Sequence, residues 1–508
     1  MTHNDQHATP RAPVRRTLWL AIDDHALPLR RNLHLCISRP AIRAEPVLAP
    51  RRDDPLAPDQ IAAHFYGTVL QEGGRFRMWY YPVALGDAPG TLTQGPIAYA
   101  ESDDGLTWQR PILNQIEFRG SRANNAIALP ETRIEGVTLI RDDDDPDPTR
   151  RYKLVYNPHT GPYWSMRTAT SADGLHWTPG RELVIREFLE QASFYHHDGL
   201  YIVNAQTISP WRRSEGGGLM GRQAYAWVSS DFDHWIEETV ESFTLPEPAD
   251  HADRGLRKPY DQVHIGIGAA SFGSVCVGLF GRWHNHPDFH QITCDLSLVV
   301  SNDGLQFREP AKGHVFIAAD DAPAPAWNGT QYPTILAQGN GILNVGDETR
   351  IYFDRWRNAP YGEAYYGDVA LATLPRDRWG YLALNPDPEA LIRQHGSNQY
   401  DPATTYDPDE GVVWTAPFVV PPAARLLLNI DGGADCRIAV ADARFHLLAA
   451  YSGAASGHLA IPAGLDCPVH WPAAPLAALA GQTVRLRISM RRQAHNEPRL
   501  YAVELVSE

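Results

Sequence analysis

Ser102-Asp103-Asp104-Gly105-Leu106-Thr107-Trp108 decides the fold, because it does not stand alone. It returns as Ser171-Ala172-Asp173-Gly174-Leu175-His176-Trp177, as Ser229-Ser230-Asp231-Phe232-Asp233-His234-Trp235, and as Ser301-Asn302-Asp303-Gly304-Leu305-Gln306-Phe307. A degenerate fifth copy is Thr373-Leu374-Pro375-Arg376-Asp377-Arg378-Trp379. The copies start at 102, 171, 229, 301 and 373, so the steps are 69, 58, 72 and 72 residues. Repeats at such a period mark an architecture built from one recurring unit.

Each copy follows the same physical logic. An alternating run precedes it, such as Ile97-Ala98-Tyr99-Ala100-Glu101 or Leu296-Ser297-Leu298-Val299-Val300, and reads as a half-buried strand. Asp-Gly then supplies the positive φ of a tight hairpin turn, and the aromatic residue after it can pack over that turn. Two further β runs lie upstream, for example Tyr66 to Gln71 and Arg75 to Tyr81. Four strands per unit and five units predict an all-β five-bladed β-propeller over residues 1–384. In that architecture the first strand of each blade lines a central channel, so chemistry is expected there. Residues 385–411, rich in Pro, Asp and Asn, read as a linker. Alternating runs such as Arg425-Leu426-Leu427-Leu428-Asn429-Ile430 then predict a small C-terminal β-sandwich over residues 412–508.

Composition narrows the function. With 45 Lys+Arg against 60 Asp+Glu the net charge is −15, which argues against a non-specific nucleic-acid binder. No run approaches eighteen apolar residues, so no membrane span is expected. The 14 Trp and 21 Tyr supply the flat apolar faces on which sugar rings rest. Cys36, Cys276, Cys294, Cys436 and Cys467 fit neither a disulfide framework nor a zinc motif. Without an apolar stretch suited to secretion near the N-terminus, the expected location is the cytoplasm.

The repeats resemble those of the five-bladed propeller glycosidases, families 32 and 43, and more closely a bacterial group loosely called family-32-like. The residues that carry the resemblance are Asp23-Asp24-His25, Tyr66-Gly67-Thr68-Val69, Met78-Trp79-Tyr80, Asn124-Asn125, the Ser-x-Asp-Gly-Leu-x-Trp hairpins, Arg151-Tyr152-Lys153 and Ala478 to Leu486. Invertase-like members carry a nucleophile, a transition-state stabiliser and a Glu proton donor. By resemblance the stabiliser's position falls on Glu190, ahead of Phe194-Tyr195, and the nucleophile's on His64. No Trp-Met-Asn-Asp-Pro or Glu-Cys motif is present, a departure from the double-displacement fructosidase pattern.

Reading the channel-mouth positions strand by strand yields the candidates. Glu135, Glu190 and Asp261 are the carboxylates expected to do acid–base work, because glycoside hydrolysis needs one to protonate the leaving oxygen and another to attack or activate water. His64, Tyr66, His264, Gln262, Arg282, Trp283, Gln338 and Tyr332 are the expected substrate contacts, with Asp59, Gln191, Gln331 and Asn340 nearby in sequence. No dense metal motif exists, although His64 and His264 with a Glu could hold a divalent cation in the channel. His284 to His290 reads as a rim loop, Asp142 to Asp145 with Asp147 as a solvated acidic hairpin loop, and Gly216-Gly217-Gly218 as no phosphate loop.

The expectation is a glycoside hydrolase acting on short oligosaccharides or glycosides, furanosides such as fructosides or arabinosides among them. Loops 210–224 and 284–292 would cap the channel and favour exo action. The alternatives are a metal-assisted sugar lyase or hydrolase using the channel histidines, and a non-catalytic carbohydrate-binding propeller. The C-terminal sandwich is expected to brace the propeller or a homo-oligomer interface. No organic cofactor is expected.

Overall fold

A computed structural model describes residues 15–160, 163–183, 190–208, 221–248, 258–385, 407, 409–493 and 496–507. The chain is nearly all β, and helix among the described residues is confined to short 3-10 turns. It divides into two compact units, Arg39–Leu374 and Met1–Ser38 with Pro375–Glu508.

Within Arg39–Leu374 five strand groups follow one another. Each opens on a long, mostly buried strand: Ala62–Glu72, Ile134–Arg141, Glu190–His197, Asp261–Ser271 and Thr334–Val345. Each of these pairs antiparallel with the strand after it. The five opening strands also touch in sequence order, and the last touches the first. Single residue pairs, Cys294 with Ile335, Gly367 with Ala62 and Asn340 with Thr68, link three of the groups into one eleven-stranded ladder.

The repeated heptapeptides are turns locked by their own side chains. In the first copy the Gly105 N–H donates to Ser102 Oγ at 2.8 Å, and the Leu106 and Thr107 N–H groups donate to Asp104 Oδ1. The same bonds recur at Ser171/Asp173, Ser229/Asp231 and Ser301/Asp303. Such Asx and Ser turns replace ladder bonds that the backbone would otherwise lack. The left-handed position is Gly105, Gly174 or Gly304 in three copies, and Phe232 at φ +69° in the other.

These turns also latch neighbouring groups together. The Trp79 indole donates to Gly174 O at 2.8 Å, Tyr352 to Gly105 O at 2.8 Å and Tyr195 to Gly304 O at 2.6 Å. Lys153 lies 5.8 Å from the Phe232 ring. The motif therefore serves as a turn and as a docking tab on the preceding group.

All five opening strands are irregular at one level. Extra residues bulge out after His64, Glu135, Gln191, His264 and Gln338, where the pairing register shifts. A bulge bends its strand and re-aims the flanking side chains, which is why bulges gather beside active sites.

In the other unit, Arg499–Ser507 pairs with Arg15–Leu20, Arg425–Asp431 and Gly380–Leu384. A second sheet is built on Thr483–Arg491, which pairs with Glu410–Trp414 and Cys436–Asp442. Leu428, Leu505, Ile438 and Ile488, drawn from both sheets, share one hydrophobic core. All five cysteines are free thiols.

Candidate functional site

Amide side chains staple the bulged strands to one another. Asn340 donates to Leu139 O and Phe194 O at 3.1 and 2.7 Å, and its own oxygen accepts the Phe194 N–H. Gln191 donates to Val155 O and Thr138 Oγ1, and Gln338 donates to Gly266 O at 2.8 Å. Backbone groups freed by the bulges are satisfied in this way, as buried polar groups require.

Glu135 and Glu190 stand on adjacent opening strands. Each is half-buried and keeps some contact with solvent. Burial, then the charge of Glu190, pushes the Glu135 carboxyl up to about 8 against the pull of Arg133. Burial also raises Glu190, but Arg222 and a hydrogen bond from Gln206 hold that rise back. Two carboxylates close enough to sense each other cannot both ionise easily, so the pair retains a proton near neutrality.

Gln206 sits directly across from Glu190 on the paired strand. Its amide nitrogen donates to Glu190, and its oxygen accepts the Ile265 N–H at 2.8 Å, which fixes which way the amide points.

His64 is fully engaged within the protein. Its Nδ1 is 3.0 Å from both oxygens of Asp354, and its Nε2 is 2.8 Å from the Tyr365 hydroxyl. Asp354 also accepts the Phe65 N–H at 2.9 Å. Tyr66, Tyr81, Trp356 and Tyr365 surround the imidazole at ring-centroid distances of 5.6–6.1 Å. Tyr66, Tyr81 and Tyr365 pack together with Ala192, Ile265 and Ala337, so four opening strands and the Arg75–Leu85 strand supply this wall. Burial, and then carboxylates including Glu135, raise the phenol pKa of Tyr66 and Tyr365 well above 10. Tyr361, 55% exposed, lies 5.5 Å from the Tyr365 ring and feels the charge of both Glu135 and Glu190.

The fourth opening strand splits the expected contacts by face. His264 lies 4.7 Å from the Trp283 ring, and the Arg222 guanidinium is 5.0 Å from that same ring. Gln262 pairs with Trp283 across the ladder and accepts the Arg222 N–H. Burial and Arg222 press the His264 pKa well below 6.5, so its imidazole is neutral. His264 Nδ1, Gln262 Nε2, Gln338 Oε1 and Trp356 Nε1 are buried with no hydrogen-bond partner among the described residues.

Asp261 belongs to the opposite face, with its ladder partner His284 and with Arg282. It meets His284 at 2.9 Å and Arg282 at 3.3 Å, and these hold its carboxyl below the ordinary value. Arg282 is further engaged by Glu309 at 2.6 Å and Ser297 at 3.2 Å. The structure thus joins Glu135, Glu190, Tyr66, His64, His264, Gln262 and Trp283 in one region. It places Asp261 and Arg282 in a separate ion-pair network. Tyr332 is half-buried before the Thr334–Val345 strand, and its electrostatic effect falls on Arg357.

Other expected features resolve into structure. Buried Asp59 joins Arg51, Arg110 and Tyr80 at 2.7–2.8 Å. The Asp142–Asp145 loop is a correction to the solvated reading: Asp142 and Asp145 close on the fully buried Lys153 amine at 2.9 and 2.6 Å. Gly216-Gly217-Gly218, and most of loop 210–224, lie outside the described residues.

Sequence reading missed Asp354, Tyr365, Gln206 and Tyr361. Asp354 was visible only as part of Asp354-Arg355-Trp356, and Gln206 carries no motif at all. Among the described residues no group of three or more His, Cys, Asp or Glu is placed to hold a metal ion.

No family model matches the chain. Two uncharacterised proteins of Mycobacterium tuberculosis, MT1551 and Rv1502, are each 28% identical over 166 residues. That match spans 32% of this chain and 45% of each relative, so less than half of their length is compared. Among solved structures, one described as a glycoside hydrolase aligns at 12% identity and TM-score 0.44, covering 67% of this chain and 92% of that one. A structure from work on GH130 mannoside phosphorylases and glycoside hydrolases that target β-1,2 mannosidic linkages in Candida mannan aligns at 14% and 0.43, with 67% and 95% covered. The β-1,2-mannobiose phosphorylase of Listeria innocua aligns at 12% and 0.42, with 68% and 97% covered. At scores this low the likenesses assign the chain neither a fold nor an activity.

Proposed function

We propose that the chain is a glycoside hydrolase whose Glu135 and Glu190 divide the acid–base work, and that the five strand groups are the blades of a propeller around them. The observation that carries this reading is the pair itself: two half-buried carboxylates on adjacent opening strands, near enough for the charge of Glu190 to raise Glu135, with environments that push their proton affinities apart. Such a divergence assigns roles. Glu135, which keeps its proton to about pH 8, is the acid that protonates the departing glycosidic oxygen. Glu190, restrained by Arg222 and Gln206, is the partner that ionises first and serves as base or nucleophile.

The surroundings suit a polyol. Tyr66, Tyr361, Tyr365 and Trp283 offer aromatic faces, and the unpartnered polar atoms of Gln262 and His264 lie in the same region. The sequence resemblance to propeller glycosidases supports the same chemistry, with short oligosaccharides and furanosides as the first substrates to try.

The test is a hydrolysis screen of purified protein against aryl glycosides and short oligosaccharides, with and without EDTA. EDTA-insensitive release of one sugar, lost by at least 100-fold in Glu135→Gln and in Glu190→Gln, is the expected result. Release that needs added metal would overturn the carboxylate mechanism. Tight sugar binding with no turnover would leave a binding protein.

A further inference from the structure

Tyr365 and His64 are 301 residues apart, yet their side chains share a 2.8 Å hydrogen bond inside the proposed site. Its polarity follows from elementary chemistry. The Asp354 carboxylate offers only lone pairs, so the His64 Nδ1 facing it carries the hydrogen. A neutral imidazole with hydrogen on Nδ1 has a bare Nε2. With the imidazole neutral, the Tyr365 hydroxyl therefore donates to Nε2. Its single hydrogen is consumed, and the phenol oxygen is left with lone pairs alone to present.

The arrangement is held in place. Asp354 is fixed by the Phe65 N–H, and it is completely buried. Gly367 makes room for the ring: a Cβ there would lie 2.3 Å from His64 Cε1 and 2.5 Å from Nδ1. The Tyr365 ring packs in the same cluster as Tyr66 and as Ala192 of the Glu190 strand, and its phenol feels the charges of both Glu135 and Glu190.

We infer that Asp354 and His64 are positioning residues that make the Tyr365 hydroxyl a hydrogen-bond acceptor only, and that Tyr365 selects glycosides with a free, donating hydroxyl at one ring position. This rests on the glycosidase reading. A sugar lacking that hydroxyl, or carrying it as a methyl ether, would leave the buried Tyr365 lone pairs unmatched. Sites built to bond a hydroxyl reject analogues without it for this reason.

The test uses the full chain and the sugar found by the hydrolysis screen, with its monodeoxy and mono-O-methyl derivatives. Wild type should lose about 10- to 100-fold in kcat/KM at one position for both derivatives. Tyr365→Phe should erase that discrimination at that position alone. Asp354→Asn would place an amide N–H against Nδ1, move the ring hydrogen to Nε2 and turn the Tyr365 hydroxyl into a donor. The methyl ether, which still accepts, should then recover relative to the deoxy sugar. A merely structural role for Asp354 would not reverse a preference.

Nitrogen-15 NMR of histidine-labelled protein at pH 8, with His64→Gln for assignment, reads the tautomer without any substrate. Hydrogen on Nε2 in the wild type, or full discrimination retained by Tyr365→Phe, would overturn the inference. If no glycoside is hydrolysed, the hydrolase reading fails by itself. The tautomer and the binding affinities of the same sugar series then still decide the role of Tyr365.

Discussion

Gln206 stands directly opposite Glu190 in the antiparallel ladder and donates its side-chain amide hydrogen to that carboxylate. This bond, together with Arg222, restrains the rise in Glu190 proton affinity that burial imposes. Gln206→Met removes the donor at similar size. The acid limb of the kcat/KM profile should then move to higher pH, with activity near pH 6 down about tenfold. An unmoved limb would show that Gln206 does not set the ionisation of Glu190.

Glu135 ties activity and stability to pH in the same sense, both falling as its proton is lost. Turnover should fall as pH rises through about 8, where the acid loses its proton. For stability, the folded chain binds this proton more tightly than the unfolded chain, whose carboxyl titrates near 4.5. Stability therefore declines as pH rises between about 4.5 and 8. Glu135→Gln should be more stable than wild type at pH 9 by about 2 kcal/mol after allowance for solvent access, and should lose that advantage below pH 4.5. Urea melts at the two pH values measure it.

His284 lies between Asp261 at 2.9 Å and Asp295 at 2.7 Å, and their hydrogen bonds raise its pKa to about 9. A raised histidine stabilises fully below 6.5 and loses that contribution as pH climbs through 9. His284→Gln should cost about 1 kcal/mol at pH 6, the group being partly exposed, and nearly nothing at pH 10. Asp261→Asn should show the same pH signature in thermal melts. A large loss of turnover without it would return Asp261 to the catalytic set.

Lys153 is fully buried between Asp142 and Asp145. Lys153→Met would leave Asp142 and Asp145 facing each other with only the Arg150 guanidinium, 3.5 Å from Asp145, as a nearby cation. Loss of about 3 kcal/mol in chemical denaturation is expected, because breaking a buried pair strands the remaining charge. Retention of full stability would mean that the acidic loop opens to water at no cost.

The repeat was legible because its signal is local. Ser, Asp and Gly at fixed offsets close the same turn wherever they occur, so the all-β character and the five repeating units follow from the chain alone. Reading the expected channel-mouth positions strand by strand, with the resemblance, picked out His64, Glu135, Glu190, His264 and Gln338, and each stands at or next to the position where its strand bulges. Asp261 shows the limit of counting. Strand side chains alternate, so one residue separates the face of His264 and Trp283 from the face of Arg282 and His284.

What the sequence determined by itself was therefore periodic: turn chemistry, strand spacing and the presence of acids near the strand starts. Tertiary structure alone decided which side chains meet. Asp354, His64 and Tyr365 meet across roughly 300 residues, and Gln206 reaches Glu190 only through ladder register. Proton affinity belongs to that second class too. Burial and a neighbouring charge, not residue type, make Glu135 an acid near neutrality, and both exist only once distant strands have come together.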